Sequence, residues 1–193
     1  MQVILIRHSK TAGNLLGRYI GTTDESLCPE GIALLSDKEY PSAEALYVSP
    51  MKRCIETGKL IYPNLFPFEE TLLRECDFGE FENKNYRELD GNPRYQAWVD
   101  SGGTLPFPGG ESREDFKKRC EEGFCNVIKD AFDKHLQTVA IIAHGGTLMS
   151  ILEAYAFPER PFYDWQVKNG RGFFLEVPLD FFDKKKLTVL DKI

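Results

Sequence analysis

Val3-Ile4-Leu5-Ile6-Arg7-His8-Ser9-Lys10-Thr11 is the stretch from which the rest of the chain can be read. Its apolar residues, mostly β-branched, predict a strand buried on both faces, the kind found inside a parallel sheet with helices on either side. The strand breaks off into a cation and an imidazole side by side. In open α/β sheets, ligands bind in the crevice beyond the carboxyl ends of the strands. Arg7 and His8 therefore stand where a ligand is expected, provided that other strands deliver matching chemistry to the same edge.

Two further apolar runs do so. Ala45-Leu46-Tyr47-Val48 leads into Ser49-Pro50-Met51-Lys52-Arg53, where Ser49 is expected as the N-cap and Pro50 as the first residue of a helix carrying Arg53 in its first turns. Val139-Ala140-Ile141-Ile142-Ala143 ends in His144-Gly145-Gly146-Thr147, with a helix expected from Leu148 to Ala156. Parallel strands share one carboxyl edge, so Arg7, His8, Arg53 and His144 converge there. That set suits a phosphoryl group. Guanidinium presents a planar fork to phosphate oxygens, a neutral imidazole is a competent nucleophile, and a helix beginning near Gly145 and Gly146 would aim backbone N–H groups at an anion.

The connecting segments fit one domain over residues 1–193, an α/β fold with a mostly parallel central sheet as the middle of three α/β/α layers. The loop from Ser9 to Leu27, with Lys10, Asn14 and Arg18, is long enough to be functional. Pro29 opens a short helix. From about 67 to 110 the periodicity weakens while Pro, Gly and aromatics accumulate, which predicts a small cap inserted over the sheet edge. Ser112, with Asp115 three residues on, caps a long helix running to about Lys134. Residues 173–177 and 187–190 are expected to form an antiparallel hairpin at a sheet edge.

Composition removes several function classes. A net charge of -6 leaves no basic face for nucleic acid or a membrane surface, so an anionic ligand must be held by a local cluster of cations. The 5 cysteines are odd in number and widely spaced, which predicts reduced thiols and a cytoplasmic protein rather than a disulfide framework or zinc ribbon. The opening apolar run lacks the flanks of a signal peptide, and no run approaches the roughly 20 apolar residues of a membrane span. Neither G-x-G-x-x-G nor G-x-x-x-x-G-K-[ST] follows a strand, which disfavours a nucleotide-binding fold.

Arg7-His8-Ser9-Lys10-Thr11 with Asn14, then Gly21, Asp24, Leu27 and Gly31, then Ser49 to Arg53, Leu73 to Gly79, Gly109 to Ser112 and Ala143 to Gly146 together resemble the histidine phosphatase superfamily, the phosphoglycerate mutase-like proteins. The short length, the Gly-Gly-Glu-Ser segment and Trp165 to Gly170 are more similar to its small phosphatases, α-ribazole phosphatases among them, than to its mutases. The usual Gly after Arg-His is Ser9 here, a residue that reaches positive φ only at a cost. The resemblance implies His8 as the nucleophile that becomes phosphohistidine. Arg7, Asn14 and Arg53, with Gly145, would hold the phosphoryl oxygens, His144 would donate to them, and Glu75 would serve as general acid and base. It implies no metal or cofactor. The expected partner is a small phosphorylated metabolite such as α-ribazole 5′-phosphate, handled by a monomer or homodimer. Mutase-type transfer and a non-catalytic phospholigand-binding module are the alternatives.

Overall fold

Successive residues of the first strand feed two separate cores, and this alternation sets the layers of the molecule. The structure, a computed structural model, describes residues 1–36 and 38–193. In chain order its elements are β1 (Gln2–Arg7), α1 (Ala12–Leu15), α2 (Pro29–Ser36), β2 (Ala45–Val48), α3 (Lys52–Ile61), β3 (Pro67–Glu69), α4 (Pro93–Asp100), α5 (Arg113–Asp133), β4 (Thr138–Ala143), α6 (Gly145–Tyr155), β5 (Ala156–Phe157), β6 (Gly172–Glu176), α7 (Phe181–Lys184) and β7 (Leu187–Lys192). Val3 and Leu5 join Ile141 beneath Phe124, Ile128, Leu148 and Leu152 of α5 and α6. Ile4 and Ile6 join Val48 and Ile142 against Cys54 and Tyr62, on α3 and at its end. Each of these fully buried strand residues contributes about 1.5–3 kcal/mol of hydrophobic burial, which is why the run tolerates no polar residue.

The sheet order is β3-β2-β4-β1-β6-β7-β5. β1, β2 and β4 are parallel neighbours, with Leu5 and Tyr47 both in register with Ile141, so their carboxyl ends lie along one edge. β6 runs antiparallel to β1 and to β7, which is the expected hairpin, while the short β5 pairs parallel with β7 at the far edge.

Several elements differ from expectation. β3 pairs with β2, so the stretch expected to be inserted from about residue 67 opens with a strand of the central sheet. The irregular aromatic region begins only after a 3-10 turn at Thr71–Leu73. Within it, α4 is capped by Asn92, which accepts from the Arg94 and Tyr95 N–H groups with Pro93 in the first turn. Phe78, Phe81, Tyr95, Trp98 and Phe107 pack there at ring-centroid separations of 5.0–6.3 Å. α3 begins at Lys52 rather than at Pro50, because Ser49 is engaged elsewhere. α6 begins at Gly145 rather than Leu148, directly behind an extended His144. Ser112 caps α5 as expected, accepting from the Asp115 N–H.

Candidate active site

His8 continues the β1 ladder by one residue, its N–H donating to the Ala143 carbonyl at 2.9 Å. Its Nδ1 lies 2.6 Å from the Ser9 carbonyl oxygen. A carbonyl can only accept, so Nδ1 carries the proton and Nε2 keeps its lone pair. Burial, then the charges of Arg53 and Arg7, hold the imidazole well below its ordinary pKa of 6.5. The ring is therefore neutral and tautomer-fixed at neutral pH, with an Nε2 lone pair of the kind a nucleophile needs.

Ser9 takes no positive φ. Its N–H donates to Thr57 Oγ1 at 2.9 Å and its hydroxyl donates to the Gly31 carbonyl at 2.6 Å. The departure from the superfamily's Gly is thus absorbed into the body of the protein, where Ser9 ties the end of β1 to α2 and α3.

Arg7 and Glu75 flank the start of α6. Arg7 donates from Nη1 to the Val167 carbonyl at 2.8 Å, whereas its Nε is buried with no hydrogen-bond partner. A buried cationic donor without a partner is costly, and a phosphoryl oxygen would supply one. Glu75 reaches across from the irregular region and accepts from the N–H groups of Cys76 at 3.0 Å and Gly146 at 3.1 Å. Burial pushes its carboxyl above the ordinary value, against those two N–H groups and the charges of Arg53 and Arg7. A Cβ at Gly146 would stand 2.5 Å from Glu75 Oε1, so only glycine lets the carboxyl approach the helix so closely.

The Glu75 backbone is itself clamped. Arg119 on α5 forms a two-pronged ion pair with Glu111, Nε to Oε1 and Nη2 to Oε2 both at 2.8 Å. Its remaining donors hold the carbonyls of Leu72, Arg74 and Glu75 at 2.7, 2.9 and 3.2 Å. Nothing local in the sequence marks Arg119 as a clamp, since the carbonyls it holds lie more than 40 residues away.

Arg53 and His144 are brought to His8 but not into the open site: both are 0% exposed. Arg53, expected to hold phosphoryl oxygens, donates to the carbonyls of Thr23, Ile20 and Gly21 at 2.7, 3.3 and 2.9 Å, and from Nε to His144 Nδ1 at 3.3 Å. Its short reach from the first turn of α3 lands on the 20–23 loop, whose inward carbonyls take its protons. His144 Nε2 lies 2.7 Å from Ser49 Oγ. Because Nδ1 accepts from Arg53, Nε2 carries the proton and donates to Ser49. His144 sits edge-on to His8, ring centroids 5.1 Å apart. Ser49, read as a helix cap, is the partner of His144.

A cavity of about 310 Å³ opens above this layer, lined on its polar side by Arg7, His8, Asn14, Glu75 and Gly145. Its other wall is aromatic, with Tyr19, Phe78, Trp98, Phe107 and Tyr163. Asn14 is fixed within the capping box of α1, and its Oδ1 also accepts from Asn169 Nδ2 at 3.2 Å. Asn169 in turn donates to the His8 carbonyl at 3.0 Å. Among the described residues, no group of three or more His, Cys, Asp and Glu is placed to hold a metal ion, and no helix is long and apolar enough to cross a membrane.

Residues 3–178 match the profile of the histidine phosphatase superfamily (branch 1). A 2,3-bisphosphoglycerate-dependent phosphoglycerate mutase of Rhizobium etli is 31% identical over 166 residues, 77% of this chain and 77% of that one. Phosphoserine phosphatase 1 of Hydrogenobacter thermophilus is 28% identical over 75% of this chain and 71% of its own. The adenosylcobalamin/alpha-ribazole phosphatase of Salmonella typhimurium is 25% identical over 88% and 87%. In fold, the alpha-ribazole phosphatase of Shigella flexneri superposes with a TM-score of 0.79 at 24% identity, over 98% of this chain and 94% of that one.

Proposed function

The chain belongs to the histidine phosphatase superfamily, and from that premise we propose that it is a metal-independent phosphomonoesterase that works through a phosphohistidine on His8. The observation that carries the reading is the pairing, in one cavity, of an imidazole whose Nδ1 proton is fixed and a buried Arg7 Nε that lacks a partner. His8 Nε2 attacks phosphorus as the ester P–O bond breaks. Arg7 Nε, Asn14 and the Gly145 end of α6 hold the phosphoryl oxygens, and Arg53 contributes its charge from beneath. His144 packs against the edge of His8 and steadies the ring. Glu75, protonated, gives its proton to the departing alkoxide. Water then attacks the phosphohistidine, its proton passes to the Glu75 carboxylate, and the N–P bond breaks to release phosphate and restore neutral His8.

The substrate is a small phosphorylated metabolite. The aromatic wall fits a leaving group with a flat ring better than a compact amino acid, which supports α-ribazole 5′-phosphate over phosphoserine among substrates of the kind the relatives are named for. Mixing the protein with radiolabelled aryl phosphate in excess chelator and quenching in alkali should leave label on the wild-type chain and none on His8→Ala. Label retained by His8→Ala, or turnover lost to chelator and restored by a divalent metal, would overturn the scheme. A rate that required a bisphosphorylated primer would identify a mutase instead.

A further inference from the structure

A second cavity, of about 630 Å³, lies on the other side of Arg7. Five of its nine lining residues are cationic, namely Arg7, Lys10, Lys38, Lys168 and Arg171, and no carboxylate among the described residues lines it. This is a local reversal in a chain whose net charge is -6. Several surface cations elsewhere are paired with carboxylates, as Arg18 is with Glu88 and Lys117 with Glu153. Lys10, Lys38, Lys168 and Arg171 form no ion pair among the described residues.

The wall of this cavity is built rather than loosely draped. The Lys38 ammonium donates to the Gly170 carbonyl at 3.1 Å, and the Tyr40 hydroxyl donates to the same oxygen at 2.9 Å. The Gly170 N–H in turn donates to the Arg7 carbonyl at 3.0 Å. Gly170 needs its positive φ of 64° to make this turn. Holding like charges around a concavity costs Coulomb energy, and a multivalent anion would recover it. The mutual repulsion is visible at Lys38, whose pKa is lowered by burial and then by Arg171 and Lys10.

We propose that this cavity is a second anion site, separate from the phosphoryl site at His8, that takes a small multivalent anion of the diphosphate or polyphosphate class. Its size suits a few phosphate groups rather than a polymer, and a net charge of -6 over the whole chain turns away nucleic acid and anionic membranes. The two cavities share Arg7 and Gln166 as a partition. A bound polyanion therefore draws on the same guanidinium that faces His8.

Titration calorimetry with inorganic tripolyphosphate tests this on the whole chain. The variant Lys38→Gln/Lys168→Gln/Arg171→Gln should bind tripolyphosphate at least about tenfold more weakly than wild type, since each partly exposed charge is worth a few-fold. Its KM for an aryl monophosphate should stay within about twofold. Should the triple variant fail to fold, Lys168→Gln and Arg171→Gln singly, both at exposed positions, should each weaken binding about threefold. Tripolyphosphate affinity unchanged in these variants would overturn the proposal. So would a KM for the monophosphate that rose in step with the loss, because the cations would then belong to the phosphoryl site.

Discussion

At the scale of single residues, Glu75 carries the sharpest chemical consequence. An alkyl ester expels a poor leaving group that needs a proton, whereas an activated aryl ester leaves without one. Glu75→Gln should slow phosphorylation of His8 by alkyl phosphates about 10²–10⁴-fold and by aryl phosphates far less, in single-turnover measurements. Equal slowing of both would place Glu75 in binding or folding instead. The pH profile follows from the same two groups. His8 is held well below 6.5, so the acid limb should lie well under that pH. The Glu75 pKa is raised, so alkyl-ester turnover should fall as pH climbs through it, and this basic limb should vanish in Glu75→Gln. Part of this was legible through the family resemblance, since Leu73 to Gly79 carries Glu75 in a matching order, although residue type alone would have left it an exposed loop carboxylate. The clamp that steadies it was not. Arg119 reaches the Glu75 carbonyl, and its partner Glu111 the Asp77 N–H, only through the packing of α5 and the loop before it against the 72–77 segment, and no periodicity in the chain announces contacts of that separation.

At the scale of elements, the start of α6 does two jobs in one turn. Its second residue must be glycine for the sake of its neighbours, since a Cβ at Gly146 would also stand 3.0 Å from the Phe116 ring. Yet alanine is the better helix former by about 1 kcal/mol. Gly146→Ala should therefore leave the melting temperature within a few degrees of wild type while lowering alkyl-ester turnover more than about tenfold, because the methyl group pushes the Glu75 carboxyl away. Unchanged turnover would show that the carboxyl does not need this seat. The buried strands were readable because apolar runs bounded by turn residues admit few other structures, and β1, β2 and β4 appear where such runs occur. Ser49 shows how that reading goes astray. Serine before proline at the end of a strand has the chemistry of a helix cap, but the same hydroxyl satisfies a buried imidazole, and the helix gives way by starting later. α4 was missed although Asn92 and Pro93 spell its start and Tyr95 and Trp98 stand at i and i+3, because about two turns are too short for a period to stand out among the surrounding Pro and Gly.

For the whole molecule, burying two neutral imidazoles links stability to acidity. In the unfolded chain His8 and His144 take up protons below about 6.5, whereas in the fold both are held well below that value. The unfolded state thus binds more protons, and stability falls as pH drops beneath 6.5, by up to about 1.4 kcal/mol per pH unit for each ring. Glu75 acts in the opposite sense. Its raised pKa means that the fold holds a proton the unfolded chain has released, so its contribution declines as pH rises above the ordinary 4.5. Between pH 7.5 and 5.5 the two rings outweigh the one carboxyl. Calorimetric melting temperatures should fall across that range, and fall less in the double variant His8→Asn/His144→Gln; equal slopes would mean that the rings are protonated in the native state. The overall architecture explains one more property. Because β6 runs against β1, the segment that precedes it arrives at the catalytic edge, where Asn169 and Gly170 hold the His8 and Arg7 carbonyls. The loop just upstream, through Tyr163 and Gln166, borders the cavity while contributing nothing to the parallel strands that carry Arg7, His8 and His144. It is the natural place for lengthening or resculpting when a new leaving group is to be accommodated, since insertions ahead of Val167, whose carbonyl holds Arg7, would redraw one wall of the pocket and leave the strand ends beneath in place.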